Sequence, residues 1–300
     1  MTAVPSRALT PRVLAPVRRV SPVPLAWTAT LLAGSLPFVV VSDVLHARPR
    51  FWLYLGQLVA LLLLLAVART APAARSLAGY VVLLIAMDLA FLVAGAIERP
   101  RWFDDGPSYL VVPAVAVVNL MPALAMLAVS LVLGRNRREL FLRAGNVHAP
   151  SRIPGTRHRV PWSRFGLPVT ILFLAPLAVQ LALTVHTDVG EVRRAILLLP
   201  LGIAFAALNA VQEEFRFRAA PLAWLVPAVG AEQGIWLTAA AFGLAHWNGH
   251  PSGPIGVVMT FFAGALLAKC MLETRGLAWP VTIHAAQDLL IFVFLALGAQ

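Results

Sequence analysis

Residues 195–225 read AILLLPLGIAFAALNAVQEEFRFRAAPLAWL, and the first half of that stretch decides the kind of fold the chain takes. Residues 195–208 carry no ionisable side chain, the composition of a helix surrounded by hydrocarbon. Glu213, Glu214, Arg216 and Arg218 then arrive together, at the end of what reads as a membrane helix. A charge within the bilayer costs roughly 2.5–3.5 kcal/mol on insertion scales. Four of them in little more than one turn are either an interfacial salt-bridge cluster or a site.

The rest of the chain repeats the apolar pattern. Of 300 residues, 60% are hydrophobic and 12% charged, about half the charge of a soluble domain; the mean hydropathy is +0.82. Apolar runs recur at 25–41, 51–68, 77–97, 109–133, 165–185, 195–210, 235–245, 255–272 and 277–297. Several reach the ~20 residues that a spanning helix needs. The expected fold is all-α: a polytopic transmembrane helical bundle of about eight spans. The run 235–245 is short, as for a broken or partly embedded helix. Pro113, Pro122, Pro176 and Pro200 fall inside runs and read as kinks, which membrane helices tolerate.

The formal charge of +11 comes almost wholly from arginine, Lys269 being the lone lysine. The arginines lie between apolar runs, a topological signal and not a nucleic-acid face. Cys270 is the single cysteine, so neither an intrachain disulfide nor a cysteine-based metal site can form; it reads as a small buried apolar residue. Residues 134–164 hold Arg135, Arg137, Arg138, Arg143, Arg152, Arg157, Arg159 and Arg164 against one acid, Glu139. Positive-inside logic places this loop in the cytoplasm. Four runs precede it, so the N-terminus is expected there too, and Arg7, Arg12, Arg18 and Arg19 agree. The chain then divides into a basic cytoplasmic tail (1–22), an N-terminal four-helix transmembrane module (23–133), the Arg-rich cytoplasmic loop (134–164) and a C-terminal core (165–300). In the N-terminal module Asp88 and Asn119 stand out among apolar residues, Asp88 reading as a structural contact with another helix. In the core the polar residues cluster.

Helix geometry sorts that cluster. Neighbouring residues differ by about 100°, so Glu213 and Glu214 point apart. Glu214 and Arg218 are four apart with the acid first, the favourable orientation for an ion pair. Glu213 is thereby left on another face, and Arg216 is expected to meet lipid headgroups. In AAAFGLAHWNGHPSG, residues 239–253, His246 lies one turn after Phe242, and His250 falls in a loop. A lone histidine there is also explained by a hydrogen bond to a neighbouring helix. In GLAWPVTIHAAQDLLIFVF, residues 276–294, His284 and Asp288 share one helical face, about 6 Å apart along the axis. A structural His–Asp hydrogen bond is the plain reading, but ionisable groups inside a span mark functional sites. Should Glu213, His246, His284 and Asp288 converge, they suffice to activate a water and stabilise an oxyanion. They also hold enough nitrogen and oxygen donors for a Zn²⁺ ion with an open position.

The order and spacing of these pieces, Glu213-Glu214-Phe215-Arg216-Phe217-Arg218, then Phe242-Gly243-Leu244-Ala245-His246, then His284-Ala285-Ala286-Gln287-Asp288, resemble the EExxxR, FxxxH and HxxxN/D motifs of the CPBP (CAAX-protease and bacteriocin-processing, or Abi) membrane family. Gly276-Leu277-Ala278-Trp279-Pro280 looks like that family's approach to its last motif. The resemblance covers roughly 195–300. It implies a CPBP-type catalytic core and an intramembrane endopeptidase that acts on a membrane-associated or lipidated peptide. It assigns Glu213 as general base with His246, His284 and residue 288 to the oxyanion, and Glu214 with Arg218 to structural support. Members are commonly labelled metalloproteases, with Glu213, His246 and His284 as candidate zinc ligands; no HExxH helix is present, and the metal-independent mechanism is preferred. Position 288 is Asp where well-studied members have Asn. An amide donates to an oxyanion and an ionised carboxylate does not, so Asp288 would be protonated, orient His284 or bind metal. The implied setting is a multi-pass protein of a bacterial plasma membrane whose partners are the bilayer and its peptide substrate, not nucleic acid. A non-catalytic scaffold or bacteriocin-immunity protein is the alternative. A proton-coupled transporter would use the same residue types but lacks paired halves with matching broken helices.

Overall fold

The computed structural model describes residues 21–47, 51–97, 100–152, 158–183, 185, 188–249 and 252–298. The expectations for the arginines at 7, 12, 18 and 19, for Arg157 and for His250 lie outside those residues. Among the described residues the chain is helical apart from one short strand pair. Seven helical stretches of the described residues are long and apolar enough to cross a membrane, or eight if the bent N-terminal pair counts as one span. The chain is a multi-pass integral membrane protein with the expected all-α bundle.

That bent pair is α1 (Val23–Ala33) and α2 (Leu36–Val39, continued by a π turn Val40–Val44), which meet at 54°. Gly34, Ser35 and Pro37 interrupt the run there, glycine and proline being the residues that break a helix most readily. Next come α3 (Phe51–Thr70) and α4 (Ala78–Ala96), then a single turn, α5 (Trp102–Asp105). The run at 109–133 is two helices, α6 (Ser108–Val118) and α7 (Leu120–Val132), joined at Asn119. After the Arg-rich segment follow α8 (Trp162–Ala182), α9 (Val189–Glu214), α10 (Ala220–Val229), α11 (Ala231–Ala245), α12 (Gly253–Thr274) and α13 (Ala278–Ala296). Outward faces carry large apolar side chains, such as Leu62, Leu63 and Val67 on α3, as the hydrocarbon requires.

The charged stretch does not end a helix. α9 starts at a capping box, in which the Asp188 carboxylate accepts from the Glu191 backbone N–H at 2.8 Å and the Glu191 carboxylate accepts from the Asp188 N–H. It runs to Glu214, widens into a π turn over Phe215–Ala219 and continues as α10 to Val229. This corrects the expectation that a helix ends at these charges. The four charges sit in the middle of a 41-residue helical stretch, at a π turn, a distortion frequent at functional sites. The short run at 235–245 starts earlier than its apolar part, at Ala231. Its length, about 22 Å at 1.5 Å per residue, is less than the ~30 Å hydrocarbon thickness.

α9 lies along α13, and α11 along α12. Small residues allow both approaches: a methyl on Gly202 would fall 2.4 Å from the Phe292 ring, and one on Gly243 would fall 2.9 Å from the Val257 carbonyl oxygen. One core joins the two halves of the chain. Leu61, Leu77, Tyr80 and Met126 from the N-terminal helices pack with Phe215, Leu222, Leu225 and Leu237. Trp27 also donates its indole N–H to Gln233 on α11 at 3.0 Å.

The described part of the Arg-rich segment packs against the turn between α12 and α13. β1 (Pro150–Arg152) and β2 (Arg159–Pro161) pair antiparallel. Before them, backbone bonds run from Leu277 N–H to Arg143 O at 2.9 Å, from Ala278 N–H to Ala144 O at 3.1 Å and from Asn146 N–H to Thr274 O at 2.7 Å. Gly145, at φ 83°, passes so close that a Cβ would lie 2.6 Å from the Thr274 oxygen, and only glycine adopts that conformation freely. Trp279 donates to Val147 O at 3.1 Å, Trp162 donates to Glu273 at 2.8 Å, and Lys269 donates to Ser151 at 2.7 Å and to Glu273 at 2.6 Å. The helix that bears His284 and Asp288 is thus held at its start by this segment. Cys270 is buried, as expected.

Candidate active site

α9 with its π turn, α11 and α13 bring the singled-out side chains together. At the centre lies Glu214. It is fully buried, as is Arg218, whose guanidinium grips it through two nitrogens, Nε at 2.5 Å and a closer Nη2. The expected i,i+4 pair is present and bidentate, the geometry that makes an Arg–carboxylate pair strong. The same carboxylate accepts from His284 Nδ1 at 2.7 Å. That bond fixes the ring of His284 so that Nε2 points away from Glu214. There it stands 3.6 Å from Glu213 Oε2 and 3.6 Å from Asp288 Oδ2.

Phe242 organises the other side. The Arg218 guanidinium lies 4.1 Å over its ring, a desolvated cation–π contact worth ~2 kcal/mol. The same ring touches the imidazoles of His246, at 4.3 Å between centroids, and His284, at 5.8 Å. His246 caps the end of α11, and its Nδ1 is 2.8 Å from the Phe242 carbonyl oxygen. A carbonyl only accepts, so Nδ1 carries the proton and Nε2 is the free basic nitrogen. His246, His284 and Asp288 line one small cavity of about 80 Å³, walled by Phe173, Leu177 and Met259.

Two expectations about Arg216 and Glu213 need correction. Arg216 does not reach lipid headgroups: it is only 6% exposed, with its Nη2 3.5 Å from Glu213 Oε1. Its guanidinium stacks 4.6 Å over Phe217 and 5.6 Å over Phe91. Glu213 therefore has a cation of its own, three residues on. The Arg216 side chain is enclosed by protein, between Phe217 and Phe91. Glu213 Oε2 is buried and accepts no hydrogen bond from the described residues.

Sequence reasoning misses two residues. Asn209 donates its amide to Asp288 Oδ2 at 3.1 Å, and Gln212 donates to Asn209 Oδ1 at 2.9 Å. Gln212 fixes which way the Asn209 amide faces, and Asn209 fixes the Asp288 carboxylate. The spacing 209–213 is visible in the chain as one helical turn before Glu213; that the partner of Asn209 is Asp288 is not.

Glu213, His246 and His284 are the candidate zinc ligands. Among the described residues no group of three or more His, Cys, Asp or Glu side chains is arranged to hold a metal ion. His284 Nδ1 is engaged by Glu214 and His246 Nδ1 by a carbonyl. That leaves Nε2 as the remaining donor of each imidazole, the nitrogen a metal-bound histidine would use, but these donors are not gathered as a metal centre among the described residues.

No curated protein and no solved structure matches the chain. Residues 195–290, the stretch holding every side chain of the cluster, match the family model described as Type II CAAX prenyl endopeptidase Rce1-like, in agreement with the resemblance carried by the motifs.

Proposed function

We propose that this protein is an intramembrane endopeptidase that hydrolyses a peptide bond of a membrane-associated or lipidated substrate. The observation that carries this reading is the position of His284. Glu214, itself gripped by Arg218, accepts from one ring nitrogen, and the other faces two carboxylate oxygens at equal distance. Glu213 Oε2, buried and without a protein donor among the described residues, accepts a proton from a water seated beside it. His246, through its free Nε2, assists. The water oxygen adds to the scissile carbonyl carbon. The proton then passes to the leaving amine, so one water is consumed per bond broken.

With both ring nitrogens of His284 protonated, the buried set of three carboxylates, two guanidiniums and one imidazolium is electrically neutral, the condition under which ions are tolerated out of water. The Nε2–H of His284 then donates to the tetrahedral oxyanion. Asp288 receives the Asn209 amide and orients His284 instead of donating, which accommodates Asp at this position. The apolar walls of the cavity suit a peptide delivered from the bilayer. The charge of residues 134–164 supports a cytoplasmic placement of that segment and of the N-terminus. The division at 1–22, 23–133, 134–164 and 165–300 is retained as an organisational proposal.

The test is cleavage of lipidated C-terminal peptides by purified protein in liposomes, with and without a chelator. Glu213→Gln is expected to lower turnover by about 10³-fold, within the range of a lost general base, and chelator to leave it unchanged. Wild-type turnover in folded Glu213→Gln protein overturns the mechanism.

A further inference from the structure

A second polar cavity is lined by Arg216 but not by His284, and most of its lining lies outside the span of the family match. Its volume is about 290 Å³. Its floor is Asp88 of α4, Gln57 of α3 and Arg216, which are 3%, 4% and 6% exposed. Its partly exposed rim includes Ser35 and Asn119. Two helix interruptions meet at this rim: the 54° bend at Gly34 and Ser35, and the α6–α7 junction at Asn119. At bilayer depth, interrupted helices occur where they are buried in protein or line a hydrated cavity.

The floor groups leave a mixed set of unmet hydrogen bonds. Among the described residues, Arg216 Nε and Nη1 are buried donors without a protein partner; Asp88 Oδ2 and Gln57 Oε1 are buried acceptors without one. An acyl chain satisfies none of these groups. An anion matched to Arg216 would face Asp88, and a cation matched to Asp88 would face Arg216. Water donates and accepts in every direction, and the volume holds several molecules at ~30 Å³ each.

We propose that this cavity is an aqueous chamber that holds the hydrolytic water and passes it along Arg216 to Glu213. The proposal rests on the hydrolase reading of the site. It supplies what that reading requires, since each turnover consumes a water at a position enclosed by apolar helices. Arg216 joins the two compartments: its Nη2 reaches Glu213, its Nε and Nη1 are unpartnered among the described residues, and its side chain lines the chamber. Asp88 and Gln57 keep the chamber wet. They sit on helices that the hydrolytic cluster does not use.

Cysteine accessibility tests this directly, because the native chain has one cysteine and it is buried. Ser35→Cys, Asn119→Cys and the lipid-facing control Val59→Cys, whose parent side chain is 51% exposed on α3, would be reacted in nanodiscs with a charged methanethiosulfonate. Reaction at 35 and 119 at least tenfold faster than at 59 is expected; rates no faster than at 59 overturn the chamber. A second arm uses Asp88→Leu combined with Gln57→Leu, which dries the floor. The expected result is kcat at least tenfold lower with KM within twofold, and unchanged kcat in folded protein overturns delivery. Labelling does not depend on cleavage. If both rim positions label and the wild-type protein cleaves no lipidated peptide, the hydrolase reading fails. If it cleaves and neither position labels, the chamber fails.

Discussion

Replacing Arg218 by Met should be among the most damaging single changes in this protein, and replacing its partner as well should be much less so. Arg218 and Glu214 are both fully buried and joined through two nitrogens. Removing one member of such a pair strands the other as an uncompensated buried charge, at a cost of about 3–5 kcal/mol. Arg218→Met also removes the stacked cation on Phe242, worth ~2 kcal/mol when desolvated. A loss of about 5 kcal/mol is therefore expected, the two contributions overlapping in part. In Glu214→Gln/Arg218→Met no charge is stranded, and the carbonyl oxygen of the introduced amide still accepts from His284 Nδ1. That double variant should lose about 2 kcal/mol; with Glu214→Gln alone costing about 3 kcal/mol for the stranded guanidinium, the coupling energy is about 6 kcal/mol in magnitude, above the usual range for residues in one network because each single variant strands a buried charge. Equilibrium unfolding by SDS in mixed micelles measures all four corners of the cycle. A single-variant loss below about 1 kcal/mol, or a coupling near zero, would refute the claim that the pair acts as one neutral unit.

Three other outcomes are expected. Arg216→Ala should lower turnover at least tenfold, because Glu213 loses its neighbouring guanidinium and Arg216 is enclosed by Phe91 and Phe217; a cleavage assay that finds near-wild-type activity would restore the headgroup assignment. Asn209→Leu should lower kcat about 10–100-fold with little change in KM, since a buried carboxylate that loses its donor costs about 1–3 kcal/mol; an unchanged kcat would show that Asp288 needs no anchor. Gly202→Val should destabilise by about 1–3 kcal/mol through overpacking, because the new methyls meet the Phe292 ring, with Gly202→Ala intermediate in the same SDS titration.

Much of this is legible in the chain. Hydrophobic runs of spanning length force the all-α membrane bundle, since no other backbone arrangement satisfies its own hydrogen bonds there except a closed barrel. Glu214 with Arg218, and His284 with Asp288, are i,i+4 relations on single helices, so their pairing needs no knowledge of the tertiary fold. Sequence reasoning misplaces Arg216 because the apolar run at 195–210 looks like a complete span. Nothing in side-chain hydropathy reveals a helix that passes on through a π turn. The bond from Asn209 to Asp288, and the meeting of Gln57 and Asp88 with Arg216 at one cavity, are made across helices, which a one-dimensional pattern cannot report. The docking of residues 143–146 onto the α12–α13 turn is made by backbone groups and one glycine at positive φ, and backbone bonds leave almost no trace in residue identity.

The π turn at Phe215–Ala219 has one further consequence. A π turn takes in one more residue than the α-helical repeat, so the side chains after it are set back by about 100° relative to those before it. α9 and α10 are therefore two helical wheels with different zero angles. Phe205, Ala206 and Ala210 bury the face defined by the first wheel, and Leu222 and Leu225 bury that defined by the second. The phase slip between them is what lets consecutive residues serve different compartments: Glu213 and Glu214 face His284, while Arg216 and Phe217 line the chamber beside Asp88.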